Sequence, residues 1–521
     1  MWNKILLQLC VCACLIVTGN SQSCNEAGQT FLYNTINWYC ENITSAFPVS
    51  KPYVNSFTCM YCNIAVIDEN TITNFRGPIF NLSNSRVKKI AENAFKTFTN
   101  STRKFILNDN DIGYVAPKVF SNFSVSDEIN LRNNKISTLK IKSFEGTNVS
   151  TLDLSHNVLT DISSVFSGLR VTTLNLSSNG IKEIRESSFD GVTFWTGGQW
   201  KYGTQKLDLS KNGLNTIVPN SFKSPNKDNV IRMLYLQRNA LTVIENDTFL
   251  QLNYLWQLSL EGNRISQLYM DSFKGLTILN NLNLANNLLT DLPNGMFGHL
   301  KSLVVLDLSQ NLLTTLSPSS FTGLMALTTL NISHNSLETI EDTHLTLLGK
   351  LSILDISNTK LHDLKLETIM EHHHLLRTLV LNDNFWTCSK LVQIYKVMNR
   401  RGSGFSYPSR YFDVPNLHGI ACSRQELDSY DNLTFEDFLE FISKDRVFED
   451  IFDYRLQGNE SESSLNSEIA YDIHNIKGMF VIITIIGAIL LIHCIIKYTV
   501  SYLVNRNIIK NNKFRFIFGT Q

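Results

Sequence analysis

The chain has no excess of charge. Its 521 residues carry 46 basic and 46 acidic side chains, so bulk charge gives it no general preference for nucleic acid or for acidic substrates. No phosphate-binding loop and no nucleophile motif occurs, and nothing else in the sequence assembles a catalytic set. Three consecutive histidines, His372 to His374, cannot all face one point, and no acid or thiol joins them at ligand spacing, so a solvated loop is expected there and neither metal nor cofactor. Cysteine is missing from the whole interior. Of ten cysteines, Cys10, Cys12 and Cys14 lie in an N-terminal apolar segment and Cys494 in a C-terminal one. The remaining six, Cys24, Cys40, Cys59, Cys62, Cys388 and Cys422, stand at the two ends of the intervening stretch.

The ends define the compartment. Residues 1–21 contain Lys4, an apolar run from Ile5 to Val17 and then small residues, the pattern of a secretory signal peptide cleaved after Ser21. Residues 478–496, GMFVIITIIGAILLIHCII, lie between Lys477 and Lys497 and just reach spanning length. Residues 497–521 hold Lys497, Arg506, Lys510, Lys513 and Arg515 without an acidic residue, so the positive-inside rule predicts a single-pass, type I protein at the plasma membrane with its ectodomain outside. That basic tail, interleaved with Ile and Phe, suits the anionic inner leaflet. In an oxidising compartment the six ectodomain cysteines read as disulfides rather than as a redox or zinc motif at Cys59–Cys62. The four in residues 22–66 allow three connectivities.

Between the ends the sequence repeats. Leu255, Leu279, Leu303, Leu327 and Leu351 are 24 residues apart, and each opens an L-x-x-L-x-L-x-x-N phrase. A period of this length denotes a solenoid. In Leu303, Leu306, Leu308 and Leu313 the leucines at i and i+2 of a short strand point to one side and the residues between them to the other. Asn263, Asn287, Asn311 and Asn335 fall where the chain leaves that strand, and their amides can satisfy backbone groups at the bend as a stacked ladder. Phe249, Phe273, Phe297 and Phe321 fill the far side of each coil. Earlier coils are looser, with Ser85 in the Asn place, and from Asn110 the Asn spacings are 24, 23, 22, 33 and 27 before they settle at 24. The ladder breaks at Thr359 and resumes at Asn384.

These residues resemble the typical extracellular leucine-rich repeat. The resemblance implies an α/β or β/irregular horseshoe, of class α/β, with a parallel concave sheet that commonly binds proteins. It also implies disulfide caps at both ends and, with the apolar run above, one transmembrane helix. About 13 repeats are expected over residues 67–384, between an N-terminal cysteine cap at 22–66 and a C-terminal cap at 385–422. Asn384, Trp386, Cys388 and Cys422 resemble the C-terminal flanking cap of such proteins, which implies a Cys388–Cys422 bridge, although Phe385 replaces the usual proline and two cysteines stand where four are common. NLHGIAC, ending at Cys422, is similar to a segment of dipteran leucine-rich-repeat immune proteins. The ectodomain resembles those of Toll-like and connectin-like receptors, yet the tail is too short for the signalling domain that follows the span in the former. Any signal must therefore pass through a partner.

Three features depart from the repeat. The spacing of 33 marks an insertion around Val192 to Gln205, whose Trp195, Trp200 and Tyr202 either form an exposed aromatic loop or fold back over the local coil. Residues 423–477 form an acidic segment. From Ser423 to Ile476 it holds fourteen acidic and four basic residues, with apolar residues at helical spacing that either pack under the last repeat or pair with another chain as a homo- or hetero-dimer. Ten sequons, at Asn42, Asn81, Asn100, Asn122, Asn148, Asn175, Asn246, Asn331, Asn432 and Asn459, predict a glycoprotein. Glycans on Asn81, Asn175 and Asn331 would shield the ribbon on either side of the strands holding Asp208, Tyr235, Ser259, Asn283 and Asp307. Within that window Tyr235, Gln237, Arg238, Gln257 and Glu261 differ most from the repeat's short polar choices, and Tyr and Arg are favoured interface anchors. The expected function is a cell-surface receptor or co-receptor for protein or microbial ligands in innate immunity, or alternatively an adhesion or guidance protein between neighbouring cells. Neither an enzymatic role nor a nucleic acid ligand is expected.

Overall fold

The computed structural model describes residues 23–26, 37–41, 56–60, 62–71, 75, 77–96, 98, 102–186, 188–194, 205–219, 221–222, 230–400, 404–405, 416–417 and 420–423. All of them lie in the first of two units, Met1–Glu426 and Leu427–Gln521. The signal peptide, the acidic segment beyond Ser423, the apolar run at 478–496 and the tail lie outside the described residues, as do Asn42, Asn100, Asn432 and Asn459. Among the described residues no helix is long and apolar enough to cross a membrane.

The repeat folds as a parallel-sheet solenoid of about 12 turns. Each coil contributes a short strand whose middle residue is buried and whose flanking residues face outward, as in Met233–Tyr235, Asn281–Asn283 and Val305–Asp307. Alternation of period two therefore sorts the leucines to the core. Neighbouring strands pair in parallel with like positions opposed: Leu234 with Leu258, Leu258 with Leu282, Leu282 with Leu306, and Leu306 with Leu330. Leu255, Leu279, Leu303, Leu327 and Leu351 are all fully buried.

The asparagine ladder is realised atom by atom. The Nδ2 of Asn311 donates to the carbonyl of Leu308 in its own coil (2.9 Å) and to Leu284 in the preceding one (3.0 Å), while its Oδ1 accepts the N–H of Leu289 at 3.2 Å. Asn287 and Asn335 repeat the arrangement. One side chain thus satisfies groups in two coils that the bend would leave buried without partners. The residue before each ladder position has a positive φ, from Asp109 (58°) through Asn286 (55°) to Asp383 (56°), which turns the chain out of the strand. Thr359 takes the ladder position at the break. Its hydroxyl donates to the carbonyl of Ile356 (2.7 Å) and to Oδ1 of Asn384 (3.0 Å), without the amide's reach into the previous coil.

On the far side Phe249, Phe273 and Phe297 are fully buried and stack at centroid distances of 6.4 and 6.2 Å. The class is closer to the β/irregular alternative than to α/β. Helix among the described residues is confined to Asp342–Leu345, Leu366–His372 and Cys388–Arg400. Elsewhere the return segments, such as 293–298 with Pro293, Gly295 and Gly298, are too short and too rich in helix breakers to wind.

The ends differ. Strand Ser23–Glu26 runs antiparallel to Asn37–Glu41, which continues in parallel into Ser56–Met60 and the first coil at Ile79–Asn81. An antiparallel strand covers the edge that a parallel stack leaves open. Cys59 and Cys62 form a disulfide, and Cys24 and Cys40 are directly opposed register partners. At the other end Cys388 and Cys422 are bridged, with Cα atoms 5.0 Å apart. Trp386 is fully buried there and donates from Nε1 to the carbonyl of Leu381 at 2.7 Å. Helix Cys388–Arg400 was not expected from the sequence, although Leu391, Ile394, Tyr395 and Met398, all buried, have its spacing.

Two further expectations are corrected. The insertion is shorter than Val192 to Gln205, because strand Thr193–Phe194 pairs with Arg170–Val171 and Val192, Phe194 and Gln205 are buried. Trp195, Trp200 and Tyr202 lie outside the described residues. The histidine run is not a solvated loop: it closes helix Leu366–His372, and His373 is wholly buried with Nδ1 against the carbonyl of Leu348 at 3.1 Å. Burial holds its pKa below the ordinary imidazole value.

Candidate ligand-binding face

Asp208, Tyr235, Ser259, Asn283 and Asp307 are successive register partners across five strands, at the strand spacing of about 4.8 Å. They share the outward face of the sheet. Most of this row is committed to the turn: Oδ1 of Asp208, Asn283 and Asp307 accepts the N–H two residues on, at 3.1, 2.9 and 2.9 Å. Asp153 and Asp355, at the same place in other coils, are turn acceptors too.

Tyr235 breaks the pattern. With no acceptor to offer the turn, its ring lies on the sheet, half-buried, under the ammonium of Lys206, which sits 4.5 Å from the ring centroid and 3.2 Å from Asp208 Oδ2. The phenol contacts Met233 Sδ at 3.7 Å. A cation on a ring face that also holds a carboxylate fixes the tyrosine in place, so it offers a rigid apolar plate with little conformational entropy left to lose. One coil on, Gln257 is half-buried, and Glu261 accepts the Asn283 amide at 3.2 Å. Gln237 Oε1 is enclosed and has no hydrogen-bond partner, a position that a donor from water or a ligand would fill. Arg238 stands exposed at the exit side of the face with φ of 57°.

The face thus brings Tyr235, Gln237, Gln257 and Glu261 together on adjoining coils, with Arg238 at its margin. Two exposed aromatics beside Gln257 escaped sequence reasoning: Tyr254 (49% exposed) and Trp256 (39%), on the entry side of the strand. They flank the buried Leu255 in an otherwise regular phrase, so only their size could have drawn notice. The sequon residues Asn81, Asn175 and Asn331 occupy the outward last position of their strands, half-buried, and each Oδ1 accepts the N–H of the sequon serine, at 2.9, 3.1 and 3.0 Å. Asn122 and Asn246 are exposed, and Asn148 is half-buried at the start of its strand.

Known sequences and structures agree with this geometry. The leucine rich repeat signature matches residues 127–181, 229–289 and 278–337, and a second leucine rich repeat signature matches 203–225. The chain carries leucine-rich repeats. None of the curated proteins matches it in sequence. Among solved structures this leucine-rich repeat chain is similar to TLR13 in its complex with ssRNA13, at 22% identity and a TM-score of 0.59, over 70% of this chain and 52% of that one. It is also similar to the glycosylated Toll–Spatzle complex from Drosophila, described as a hub in development and innate immunity, at 19% identity and a TM-score of 0.55, over 75% and 54% of the two chains. The chain thus spans about half the length of these structures, and the likeness is one of fold.

Proposed function

We propose that this leucine-rich repeat protein is a cell-surface recognition protein, type I and single-pass. It binds an extracellular protein or microbial ligand on the sheet face between Asp208 and Asp307, in innate immunity. The observation that carries the reading is the departure of this window from its own repeat. Coils before and after it place short turn-forming residues and sequon asparagines on the face. The window places a pinned tyrosine, an unpartnered glutamine oxygen and a half-buried glutamine there, beside two exposed aromatics. Toll with Spatzle and TLR13 with single-stranded RNA support a binding role for such a fold; they do not select the ligand. The protein is a binder and not a catalyst in this reading.

Proximity labelling on intact cells tests it. The full chain should enrich a reproducible set of extracellular partners, and Tyr235→Ala with Gln257→Ala and Glu261→Ala should reduce that set by about tenfold while surface expression is kept. Enrichment only of the same chain on apposed cells would replace the receptor reading with adhesion. An unchanged set in the triple variant would place recognition elsewhere.

A further inference from the structure

The sheet face ends, on its exit side, at the row of positive-φ residues that precede the ladder. Asn133, Gly262, Asn286 and Asn358 occupy it in several coils, residue types that tolerate this conformation. Asp109, His156, Ser178, Gln310, His334 and Asp383 hold the same position in other coils, and among the described residues two adjacent coils alone place a lysine or arginine in the row, Lys211 (φ 53°) and Arg238 (φ 57°). Long side chains gain nothing locally from that backbone, and a strained choice is a reason to look for a role. The coil before them presents Lys182 and the coil after them Arg264, so four successive coils each expose one cation on this edge.

The coils are held in register at that row: the Lys211 N–H donates to the carbonyl of Gln237 (2.9 Å) and the Arg238 N–H to that of Glu261 (2.7 Å). Two glycines open the path between cations. A Cβ on Gly213 would lie 4.0 Å from Lys182 Cγ, and one on Gly262 would lie 3.4 Å from Arg238 Cγ, so both stems lean over the following coil. Among the described residues the nearby acids are engaged elsewhere: Asp208 with Lys206 (3.2 Å), Glu183 with Arg185 (3.0 Å), and Glu261 with the Asn283 amide (3.2 Å). At the position of Arg264, immediately after the ladder asparagine, the next two coils carry Leu288 and Leu312, 44% and 49% exposed.

We propose that this edge docks an acidic segment of a protein partner. Its carboxylates meet Lys182, Lys211, Arg238 and Arg264, and apolar side chains beside them meet Leu288 and Leu312. At about 4.8 Å per coil the cations extend over roughly 14 Å, the reach of four or five extended residues. A nucleic acid strand could use the cations, but bases need aromatic faces to stack on, and the edge continues in aliphatic leucines. The inference rests on the recognition role proposed above and adds the partner's chemistry.

The test uses the purified full chain and a fluorescent peptide of alternating Glu and Leu, with a single-stranded RNA of equal charge beside it. The variant is Lys182→Ser, Lys211→Asn, Arg238→Asn and Arg264→Ser, each replacement being the residue found at the equivalent place in another coil (Ser266, Asn286, Asn286 and Ser336). An unchanged thermal unfolding profile shows that the variant folds. The peptide should bind the parent, lose affinity with added salt and bind the variant about tenfold or more weakly. Equal peptide binding by parent and variant overturns the proposal. So does tighter binding of the RNA than of the peptide through the same four residues. If partners are still captured on cells while the peptide fails, only the edge is wrong; if no partner is captured, the recognition role itself falls.

Discussion

From Phe249 to Asn335 successive coils are joined by ladder asparagines, with Phe249, Phe273 and Phe297 stacked singly behind them; from Phe57 to Phe123 they are joined by a cluster. Phe80 lies within 4.9 to 6.3 Å of Phe57, Phe75, Phe95, Phe98 and Phe105, whereas among the described residues Phe273 stacks only on Phe249 and Phe297. The ladder is weakest at the first coil of the cluster, where Ser85, in the asparagine's place, reaches only the carbonyls of Cys59 (3.0 Å) and Ser83 (3.1 Å), and it becomes complete at Asn110. Interior coils are supported from both sides and need only a repeated contact. A terminal region has a neighbour on one side, and burying more aromatic area there offsets the missing one.

Breaking the cluster should therefore have the largest effect. Phe80→Ala is expected to cost about 3–5 kcal/mol, seen in urea unfolding of the full chain as early loss of the N-terminal coils. Asn311→Ala should cost less, about 1–3 kcal/mol, because it leaves the N–H of Leu289 without a partner in the interior, while the carbonyls of Leu284 and Leu308 keep the amides of Asn287 and Asn335. If Asn311→Ala proved the more damaging, the ladder and not the cluster would dominate.

A smaller effect should follow pH. His373 is buried and neutral with a lowered pKa, so the unfolded chain takes up the proton first. Its contribution is full above the ordinary imidazole value of about 6.5 and declines as pH falls below it. Melting at pH 7.5 and pH 5.5 should show a loss that shrinks in His373→Gln. The smallest change should be a gain: Thr359→Asn would let an amide reach the carbonyl of Ile332 and mend the ladder, for about 0.5–1 kcal/mol, read as a raised melting temperature.

What was legible follows from the same contrast. The ladder and the leucine core could be read because a period repeats a physical requirement, and the bonds of Asn287, Asn311 and Asn335 are those the bend demands. The aromatic cluster could not, since Phe75, Phe98 and Phe123 stand off the template and meet only in space. His373 read as wet because three histidines in a row look polar, while the end of helix Leu366–His372 turns the middle one inward. At the candidate face the register of Tyr235 with Asp208 and Ser259 was readable, as was the outward placement of the sequons Asn81, Asn175 and Asn331. The ammonium of Lys206 over the Tyr235 ring depends on side-chain geometry across two strands, and the exposure of Tyr254 and Trp256 on how the coil enters its strand.

The central claim is that recognition occupies the window where the repeat departs from its rule, and a glycan can be placed to test it. Ala285→Ser makes Asn283 a sequon in the middle of the window, with serine already accommodated at the equivalent Ser309 and Ser333. Asp355→Asn makes one with Ser357 outside it and keeps the turn acceptor. With occupancy at both sites checked by mass spectrometry, partner capture on intact cells should fall sharply for Ala285→Ser and persist for Asp355→Asn. Equal capture by the two glycosylated variants would contradict the account.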